Sequence, residues 1–505
     1  MFELTEMQEE IRRLTREIVE GELLKKTKLV IDGHEENMEL RKALDEQDMY
    51  PSDLIKTLGN SGILSVYLQE EYGGMNEGII GLCLATEEIA RICPASSTCY
   101  AANALGAIPI MISGTEEQKN KYLSRIASGK EYAAFGLTES GSGSDALSMK
   151  TRATLQEDHY ILNGEKIFIS NAGQADIYSV FAVTNPNRGS RGISGFIVEK
   201  GTQGFNFGKK EKKMGLHASE TRSLIFSNCK VPKENLIGGR EGLGAITILN
   251  TLNKSRIGVG AQAVGAAQGA FEAALSYAKQ RKQFGKPIFE FQATAHKLAR
   301  MATLIEAARS LVHKAAWHAD HEGSKSTIAK FGAMAKYFAS DVAMYVTTEA
   351  VQILGGNGYM REYQVEKFMR DVKVFQIYEG TNEIQKEEIS RILIKESASL
   401  ESHANNQEAT DLNLLEKGLY TSLEKQKNSE LRQAMEHLFA TMATKIESAR
   451  ALSERAIQLN NQLLLIMSAS YTHKVCTEVY ADLFLINSGY YNTKHSENDR
   501  ISQLI

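Results

Sequence analysis

The hydrophobic pattern of the chain changes twice, and the order of the changes limits the folds available to it. Up to about residue 130 the apolar residues recur at helical spacing, as Met7, Ile11 and Leu14 do. From about residue 131 to about residue 240, short β-like runs alternate with Gly, Asn and Pro. Helical spacing then returns. The order helix, β, helix argues against a doubly wound sheet, in which strands and helices alternate.

The 505 residues are too many for one compact core, and the pattern predicts an α+β protein of several domains. We expect an N-terminal helical domain, a central antiparallel β domain, a second helical domain and an appended helical extension. Their predicted boundaries are 1–131, 132–240, 241–395 and 396–505.

Shorter patterns predict local structure. Thr5 and Gln8 have the spacing of a helix capping box. Asn163-Gly164 separates HYIL from KIFIS and predicts a tight hairpin turn, because Asn and Gly accept positive φ angles. In the extension, the polar stretch 401–410 is typical of a linker. Two amphipathic helices beyond it predict a helical hairpin. The second covers 463–486, and the first is marked by Leu431, Met435, Leu438, Met442 and Ile446.

Composition argues against several classes of protein. The net charge of −4 gives no electrostatic reason to expect nucleic acid as a partner. The five cysteines are scattered and form no C-x-x-C pair, so we expect neither a disulfide framework nor a zinc site. The acidic N-terminal stretch lacks the apolar core of a signal peptide, and no apolar run reaches the length of a membrane span. We therefore expect a cytoplasmic protein.

Two glycine motifs resemble a dinucleotide-binding turn. The first, GSGSDA at 141–146, is followed by a short turn and the strand-like KTRATLQ, whereas a true dinucleotide turn opens a helix. The second, at 258–263, lies in a helical pattern where Gly258, Gly265 and Gly269 favour close helix packing. A Gly/Ser-rich loop still offers N–H groups and hydroxyls to a phosphate-bearing cofactor. The loop alone leaves open whether it is a plain turn or part of a nucleotide site.

Six stretches stand in the sequence in a characteristic order: FGLTESGSGSD, GEKIFISNAG, KKMGLHASETR, RKQFGKPI, QILGGNGY and MRDVKVFQIYEGTNEIQ. Together they resemble the acyl-CoA dehydrogenase family of flavoproteins. The resemblance covers about residues 1 to 395 and implies that the second helical domain is a four-helix bundle. It also implies that FAD binds in an extended form between the β domain and the bundle, without a Rossmann fold.

The resemblance further implies a reaction, the removal of two hydrogens from a fatty acyl-CoA thioester to give the trans-2-enoyl-CoA. The matching base is Glu379, whose carboxylate takes the α-proton while flavin N5 takes the β-hydride. Burial in a dry pocket raises such a carboxyl pKa toward neutrality. Some relatives carry the base in the stretch that reads here Asn253 to Arg256, which has no carboxylate and so argues against the isovaleryl-type subgroup. We expect the backbone N–H of Glu379 to polarise the thioester carbonyl.

More residues are implied to contact the substrate and the flavin of the same chain. Arg256 matches an arginine near the substrate, with an ion pair that holds its helix as the alternative. Phe168 stands where many relatives carry Trp against the flavin, with a position in the β-domain core as the alternative. The implied substrate contacts are Ser144, Asn253, Arg256, Tyr378 and Gly380. The implied flavin contacts are Phe135, Leu137, Thr138, Ser144, Phe168, Ile169, Ser170, Thr381 and Glu383.

A second set of residues is implied to reach the flavin of a neighbouring subunit. Arg281 suits this role, because a guanidinium pairs well with pyrophosphate. We therefore expect a homodimer or homotetramer. The set consists of Arg281, Gln283, Phe284, Gln292, Gln352, Gly355 and Gly356.

The extension resembles, in position, that of the very-long-chain acyl-CoA dehydrogenases, where it supports dimers and membrane association. We interpret it as a dimerisation appendage, with a membrane-surface role as the alternative. Ala101 and Ala102 leave depth in the expected acyl tunnel, whereas Tyr100 could close it, and we expect medium to long chains. The expected electron acceptor is an electron-transferring flavoprotein. The alternatives are a related oxidase, monooxygenase or enoyl-CoA reductase, and a non-catalytic assembly factor.

Overall fold

The first helix begins where the sequence predicts it. The computed structural model describes residues 2–31, 34–321, 323–400, 411–426 and 432–487. Helix α1 (Glu6–Leu23) follows Thr5, whose hydroxyl accepts the Gln8 N–H at 3.1 Å, while the Gln8 side chain accepts the Thr5 N–H. The capping box is confirmed. The other helices of this region are α2 (Leu40–Glu46), α3 (Ser52–Asn60), α4 (Gly78–Ile92), α5 (Pro94–Ser113), α6 (Glu116–Gln118) and α7 (Ser124–Ala127).

A β-hairpin that the helical pattern did not predict interrupts this region. Strands β1 (Lys26–Ile31) and β2 (His34–Glu39) pair antiparallel along their length. The sequence between them is Asp32-Gly33, a pair that favours two-residue hairpin turns. Those two residues lie outside the described residues. The Asp-Gly pair is the signal that would have predicted the hairpin.

The central region folds into one curled sheet of seven strands. The strand order is β3-β6-β4-β5-β9-β8, and β7 pairs with β6. Most neighbours are antiparallel, as predicted, but β3 and β4 run parallel to β6. One face holds a separate apolar core, in which Phe205 stacks on Phe226. The strands are β3 (Ala133–Gly136), β4 (Arg152–Gln156), β5 (His159–Ser170), β6 (Ile177–Val183), β7 (Ile193–Glu199), β8 (Phe205–Phe207) and β9 (Thr221–Pro232).

The predicted turn at Asn163-Gly164 is wrong. Strand β5 runs through both residues, and Gly164, with a φ of 143°, lies at a register shift against β9. The hairpin turn lies earlier, between Gln156 and His159, where Glu157 has a φ of 54°. A Cβ on Gly164 would lie 2.6 Å from Thr151 Oγ1. Close approach of a neighbouring chain segment, rather than a turn, therefore explains this glycine.

Four long helices form the bundle that the resemblance implies. Helix α8 lies at its centre and packs against α4, α5, α9 and α10. Between α8 and α9 the chain forms a minimal hairpin of β10 (Lys282–Gln283) and β11 (Lys286–Pro287). The helices are α8 (Gly244–Gln280), α9 (Gln292–Asp320), α10 (Lys325–Leu354) and α12 (Asn382–Leu400), with the short α11 (Val365–Val372) before the last.

Glycines in α8 allow it to approach α4 closely. A Cβ on Gly265 would lie 2.1 Å from the carbonyl oxygen of Glu87, and one on Gly269 would lie 2.0 Å from that of Arg91. Gly258 has no atom within 4 Å of its Cβ position. The prediction of close helix packing is therefore right for Gly265 and Gly269 and wrong for Gly258.

The extension contains three described helices, one more than the predicted hairpin. Helix α14 packs along α9 and α12, and its apolar side chains join the core of the bundle. Arg455 in α14 also forms an ion pair of 2.6 Å with Glu306 in α9. The predicted linker 401–410 and Leu431 lie outside the described residues. The three helices are α13 (Asp411–Gln426), α14 (Arg432–Gln458) and α15 (Gln462–Asn487).

Among the described residues, α5 is the one helix long and apolar enough to cross a membrane. Its most apolar window is 78% buried inside the protein, where it packs against α4, α8 and strand β3. Packing in the core accounts for the apolar character of this helix.

We expect Gly269→Ala to lower the free energy of unfolding by about 1–3 kcal/mol, because the new methyl group must push α4 away from α8. Gly258→Ala in the same helix is the matched control and should raise it by up to about 1 kcal/mol, since alanine favours helix more than glycine does. Urea unfolding followed by circular dichroism measures both. Equal effects of the two substitutions would contradict the close contact of α4 and α8.

Candidate active site

Glu379 lies in a turn that joins the end of α11 to the start of α12. Its carboxylate accepts a hydrogen bond of 2.6 Å from the Ser255 hydroxyl of α8 and makes no ion pair with any described residue. Burial raises the pKa of the Glu379 carboxyl above its ordinary value, and the Ser255 hydrogen bond and the charges of Arg256 and Lys336 oppose this only in part. A carboxylate of this kind can accept a proton.

The backbone of this turn has an unusual conformation. Glu379 has a φ of 57° and Gly380 a φ of 91°, so two successive residues are left-handed. Arg256 donates from Nε to the Glu379 carbonyl at 3.1 Å, and Gln385 donates to the carbonyls of both Glu379 and Gly380. No described residue accepts a hydrogen bond from the Glu379 N–H. That N–H is available to a ligand.

Behind the turn lies a lysine that the sequence analysis missed. Lys336 in α10 is fully buried, and its ammonium donates to the Gly380 carbonyl and to Asn382 Oδ1, both at 2.8 Å. Burial and the charge of Arg256 lower the pKa of Lys336 to about 7. The available signal was a lysine between Ala335 and Tyr337 on a helix whose neighbouring residues are apolar.

Ser255 is a second residue of the site that was not predicted from the sequence. It lies in the stretch 253–256, which has no carboxylate. Ser255 instead supplies a hydroxyl to the carboxylate of Glu379. Arg256, which is 7% exposed, bonds the Glu379 backbone and Asn253 Oδ1, so it holds the turn rather than forming an ion pair with a carboxylate. Asn253 and Arg256 therefore do lie beside Glu379.

Tyr378 begins a chain of polar side chains on the other side of Glu379. Its hydroxyl donates to Gln262 Oε1 in α8 at 2.6 Å. The amide of Gln262 donates in turn to Ser97 Oγ and Thr98 Oγ1 in α5, both at 2.9 Å. These hydrogen bonds join the turn, α8 and α5. They place polar groups on α5 about one turn before Ala101 and Ala102, which the sequence analysis expected to leave depth in an acyl tunnel.

The predicted flavin contacts of the β domain lie at the end of β3 and at an irregular stretch of β5. Phe135 and Leu137 pack with Ile248 and the partly buried Leu252 of α8, one turn before Ser255. The register of β5 against β9 shifts between Lys166 and Ile169, and this bulge turns Phe168 outward. Phe168 has a φ of 59° and is 64% exposed, so it is not a core residue of the β domain.

Other predicted contacts in the β domain have different surroundings. The Thr138 carbonyl accepts the Ile167 N–H at 2.8 Å, which brings Thr138 beside the bulge. Ser170 is partly buried at the end of β5, and Ser144 is exposed in its loop. Ile169 is 4% exposed and packs into the sheet core, so its side chain does not face the bulge surface that carries Phe168.

A buried ion pair lies beside the Gly/Ser loop at 141–146 and fixes the chain just before it. Lys166 Nζ lies 2.8 Å from Glu139 Oε1 and donates to the Leu137 carbonyl at 3.0 Å. Glu139 also accepts the N–H groups of Lys150 and Thr151. A short 3-10 turn and then β4 follow this loop, so it does not open the long helix of a dinucleotide-binding fold.

The residues predicted to serve a neighbouring subunit lie together at the far end of the bundle. Asn357 donates to the Tyr277 hydroxyl at 2.9 Å, and Lys297 pairs with Glu349, so the ends of α8, α9 and α10 meet there. Phe284 is 95% exposed with a φ of 52°. All seven are exposed: Arg281, Gln283, Phe284, Gln292, Gln352, Gly355 and Gly356.

This cluster is far from the flavin contacts of its own chain. Ile248, which packs on Phe135 and Leu137, and Arg281 are separated by the length of α8, about 50 Å at 1.5 Å per residue. Thr381 is partly buried and Glu383 exposed, and both lie next to Glu379 rather than at the far end. The predicted contacts therefore form two groups within one chain.

The residues near Glu379 fit a flavin. The exposed ring of Phe168 offers an aromatic face beside Thr138, and the described residues give the side chains of Thr138, Ser144 and Ser170 no hydrogen-bond partner. The loop glycines Gly141 and Gly143 have nothing within 4 Å of their Cβ positions. An aromatic face with nearby hydroxyls and an open glycine loop suits a flavin ring and its phosphates.

Comparison with known proteins shows the family. The N-terminal, middle and C-terminal domains of the acyl-CoA dehydrogenase family match residues 5–130, 134–229 and 242–394. An acyl-CoA dehydrogenase of Bacillus subtilis (strain 168) is 49% identical over 352 residues, which are 70% of this chain and 92% of that protein.

Two solved structures resemble the fold. A butyryl-CoA dehydrogenase from Megasphaera elsdenii is 44% identical, with a TM-score of 0.72 over 78% of this chain and 100% of its own. An acyl-CoA dehydrogenase from Bacillus anthracis, complexed with FAD, is 31% identical, with a TM-score of 0.85 over 96% of this chain and 88% of its own. The second match is long enough to include the extension.

Fold, site and comparisons together define a flavoprotein oxidoreductase that acts on acyl-CoA and uses FAD. The chain belongs to the acyl-CoA dehydrogenase family.

Proposed function

We propose that the protein removes the α-proton and β-hydride of an acyl-CoA thioester, giving the trans-2-enoyl-CoA, with Glu379 as the base. The observation that carries this proposal is the surroundings of Glu379. Its carboxylate has a hydroxyl partner and no ion pair among the described residues, and burial raises its pKa. A base near neutrality is the form that takes a proton efficiently at physiological pH.

Glu379 and Ser255 have separate roles in this reaction. The Glu379 carboxylate takes the α-proton, and the electron pair left at the α-carbon forms the new double bond as hydride leaves the β-carbon. When bound, FAD would supply the acceptor for that hydride. The Glu379 N–H, which no described residue uses, donates to the thioester oxygen and stabilises the negative charge that develops there. The Ser255 hydroxyl orients the carboxylate for proton transfer.

The flavin contacts are proposed on the same basis. Phe168 would cover one face of the ring, and Thr138 and Ser170 would donate to its polar edge. Ser144 would contact the ring or the substrate from the open glycine loop. Leu137 and Phe135 hold the end of β3 against α8, which keeps the flavin residues at a fixed distance from the turn that carries Glu379.

Glu379→Gln tests the base. We expect the protein to retain FAD, while the rate at which butyryl-CoA bleaches the flavin absorbance without oxygen falls by about 10³-fold, because an amide cannot accept the proton. In the unchanged enzyme, kcat/KM should fall as the pH drops through the raised pKa of Glu379. Glu387→Gln, in helix α12 that follows the turn, is the control and should bleach at the normal rate. A bleaching rate in Glu379→Gln like that of the control would exclude Glu379 as the base.

We further propose a short-chain acyl-CoA as the substrate. Tyr378, Gln262 and Thr98 form a hydrogen-bonded polar barrier directly behind Glu379, between α5 and α8. An alkyl chain that runs between these helices would have to break the barrier and leave its polar groups unpaired, which is unfavourable. The Megasphaera elsdenii relative is a butyryl-CoA dehydrogenase, in line with this proposal. The barrier favours shorter chains than the small residues Ala101 and Ala102 suggested.

Gln262→Ala should open this barrier. We expect the ratio of kcat/KM for octanoyl-CoA to that for butyryl-CoA to rise by about ten-fold, since the methylene groups gain an apolar path. Gln268→Ala, further along α8, is the matched control and should leave the ratio unchanged. If the unchanged enzyme already prefers palmitoyl-CoA to butyryl-CoA, the barrier does not limit the chain.

We propose that each FAD is bound by two subunits of a homodimer or of a dimer within a homotetramer. Within one chain the exposed cluster that contains Arg281 and Phe284 lies about 50 Å along α8 from the packing of Phe135 and Leu137. A flavin held near Glu379 would therefore meet this cluster only from a second chain. The guanidinium of Arg281, which pairs with no described residue, would bind the pyrophosphate.

Mixed subunits test the shared site. Glu379→Gln and Arg281→Glu should each inactivate the homo-oligomer. When the two variants are co-expressed, about half of the dimers are mixed, and one of the two sites in each mixed dimer has both residues intact. About a quarter of the normal activity should therefore return. Lack of recovery in isolated mixed dimers would mean that Arg281 serves its own chain.

An electron-transferring flavoprotein is the proposed acceptor, because a dehydrogenase of this class must pass its two electrons to another carrier. The discriminating measurement is reoxidation of the substrate-reduced enzyme. Rapid reoxidation by that flavoprotein and slow reoxidation by oxygen support the proposal, whereas stoichiometric oxygen consumption would favour the oxidase.

We also propose that the protein works in a reducing compartment, since all five cysteines are buried and none forms a disulfide. Cell fractionation that recovers the protein outside the cytoplasm would overturn this.

A further inference from the structure

Lys336 is buried in a way that ordinary structural lysines are not. It has no exposed surface, and its two hydrogen-bond acceptors are neutral, the Gly380 carbonyl and the Asn382 side chain. No described carboxylate lies within ion-pair distance of its ammonium. Burying an ammonium without such a partner is costly. By contrast, the buried Lys314 in α9 pairs with Glu454 at 2.9 Å, as a lysine that only joins two helices would do.

The two acceptors show what Lys336 holds. Gly380 directly follows Glu379, and Asn382 is the first residue of α12. Lys336 thus joins α10 to both ends of the short segment between Glu379 and α12. Asn382 is fixed further by donating to Ser340 Oγ and Asp341 Oδ1, also on α10, at 3.0 and 2.8 Å. The segment is bound to α10 by three side chains.

A second cation holds the preceding carbonyl. Arg256, from α8, donates to the Glu379 carbonyl at 3.1 Å, while Lys336 donates to that of Gly380 at 2.8 Å. Two helices therefore each supply a cation to successive carbonyls of a left-handed pair. With both carbonyls drawn inward, the Glu379 N–H remains without an internal partner.

We propose that Lys336 is a positioning residue for the dehydrogenation, which holds the Gly380 carbonyl and so keeps the Glu379 carboxylate and N–H directed at the substrate. This inference rests on the proposed function, in which Glu379 is the base. In this role Lys336 touches neither substrate nor flavin. It acts through the conformation of the turn.

The charges around Lys336 agree with such a role. Four charged groups act on it: Arg256 from α8, Asp341 on its own helix, and Glu379 and Glu383 from the segment that it holds. The charge of Lys336 in turn lowers the pKa of Glu379. Removing that charge should therefore move the acidic limb of the kcat/KM profile to higher pH, as well as loosening the turn.

Lys336→Met tests the proposal, because it keeps the length of the side chain and removes the donor. We expect kcat for butyryl-CoA to fall by about 10- to 100-fold, as small displacements of a catalytic group do, with KM and FAD content within about two-fold of normal. Lys314→Met is the matched control. It loses a buried lysine of the same bundle and should lower stability without this loss of kcat.

A second readout does not depend on turnover. The Gln385 N–H donates to the Thr381 carbonyl at 3.0 Å in the first turn of α12, and its hydrogen exchange should be faster in Lys336→Met and unchanged in Lys314→Met. Normal exchange together with normal kcat in Lys336→Met would overturn the proposal. So would a loss of kcat matched by Lys314→Met. If Lys336→Met does not fold, Lys336→Gln is measured instead. Its side chain is neutral and shorter and should hold the Gly380 carbonyl less well, so normal kcat together with normal exchange in this variant would also overturn the proposal.

The exchange measurement also separates the two proposals. If Glu379→Gln remains active, the proposed base is wrong, and faster exchange in Lys336→Met still shows that Lys336 holds the turn, now for another purpose. If Glu379→Gln is inactive and Lys336→Met behaves like Lys314→Met, the base stands and the positioning role falls.

Discussion

The site depends on hydrogen bonds to two successive carbonyl groups. Arg256, Lys336 and Gln385 donate to the carbonyls of Glu379 and Gly380 from α8, α10 and α12. Left-handed backbone costs a residue with a side chain about 1–2 kcal/mol, and hydrogen bonds from charged donors contribute about 1.5–3 kcal/mol each. The donors therefore outweigh the unfavourable conformation. Because they come from three helices, the packing of the whole bundle determines the direction of the Glu379 side chain.

The same arrangement meets two requirements that conflict. A base must be dry enough to have a raised pKa, yet it must ionise. The cations near Glu379 bond its backbone and not its carboxylate, which is paired with the neutral hydroxyl of Ser255. The carboxylate thus experiences two positive charges without forming an ion pair that would keep it permanently ionised and weakly basic. Burial dominates, and the pKa of Glu379 remains raised.

Much of the fold could be predicted from the sequence, but the residues that contact Glu379 and its turn could not. Periodicity predicted the helical regions and the central sheet, and the capping box at Thr5 was predicted to the residue. The turn at Asn163-Gly164 was mispredicted because this pair satisfies a bulge as well as a hairpin, and only contact with Thr151 decides between them. The resemblance pointed to Glu379. Ser255 and Lys336 act through space on residues 124 and 44 positions away, respectively, and no local pattern reports such contacts.

Phe168, Phe284 and Glu379 share a property that sets them apart from most of the chain. All three are left-handed, with φ of 59°, 52° and 57°, although none is the Asn, Asp or Gly that this conformation favours. Each is also a proposed contact of flavin or substrate. Random mutation followed by selection for heat resistance alone would therefore favour glycine or asparagine at these positions, and it would discard the aromatic rings and the base. Thermal stability and catalysis therefore favour different residues at these three positions. A variant selected only for stability would lose activity first through substitutions here.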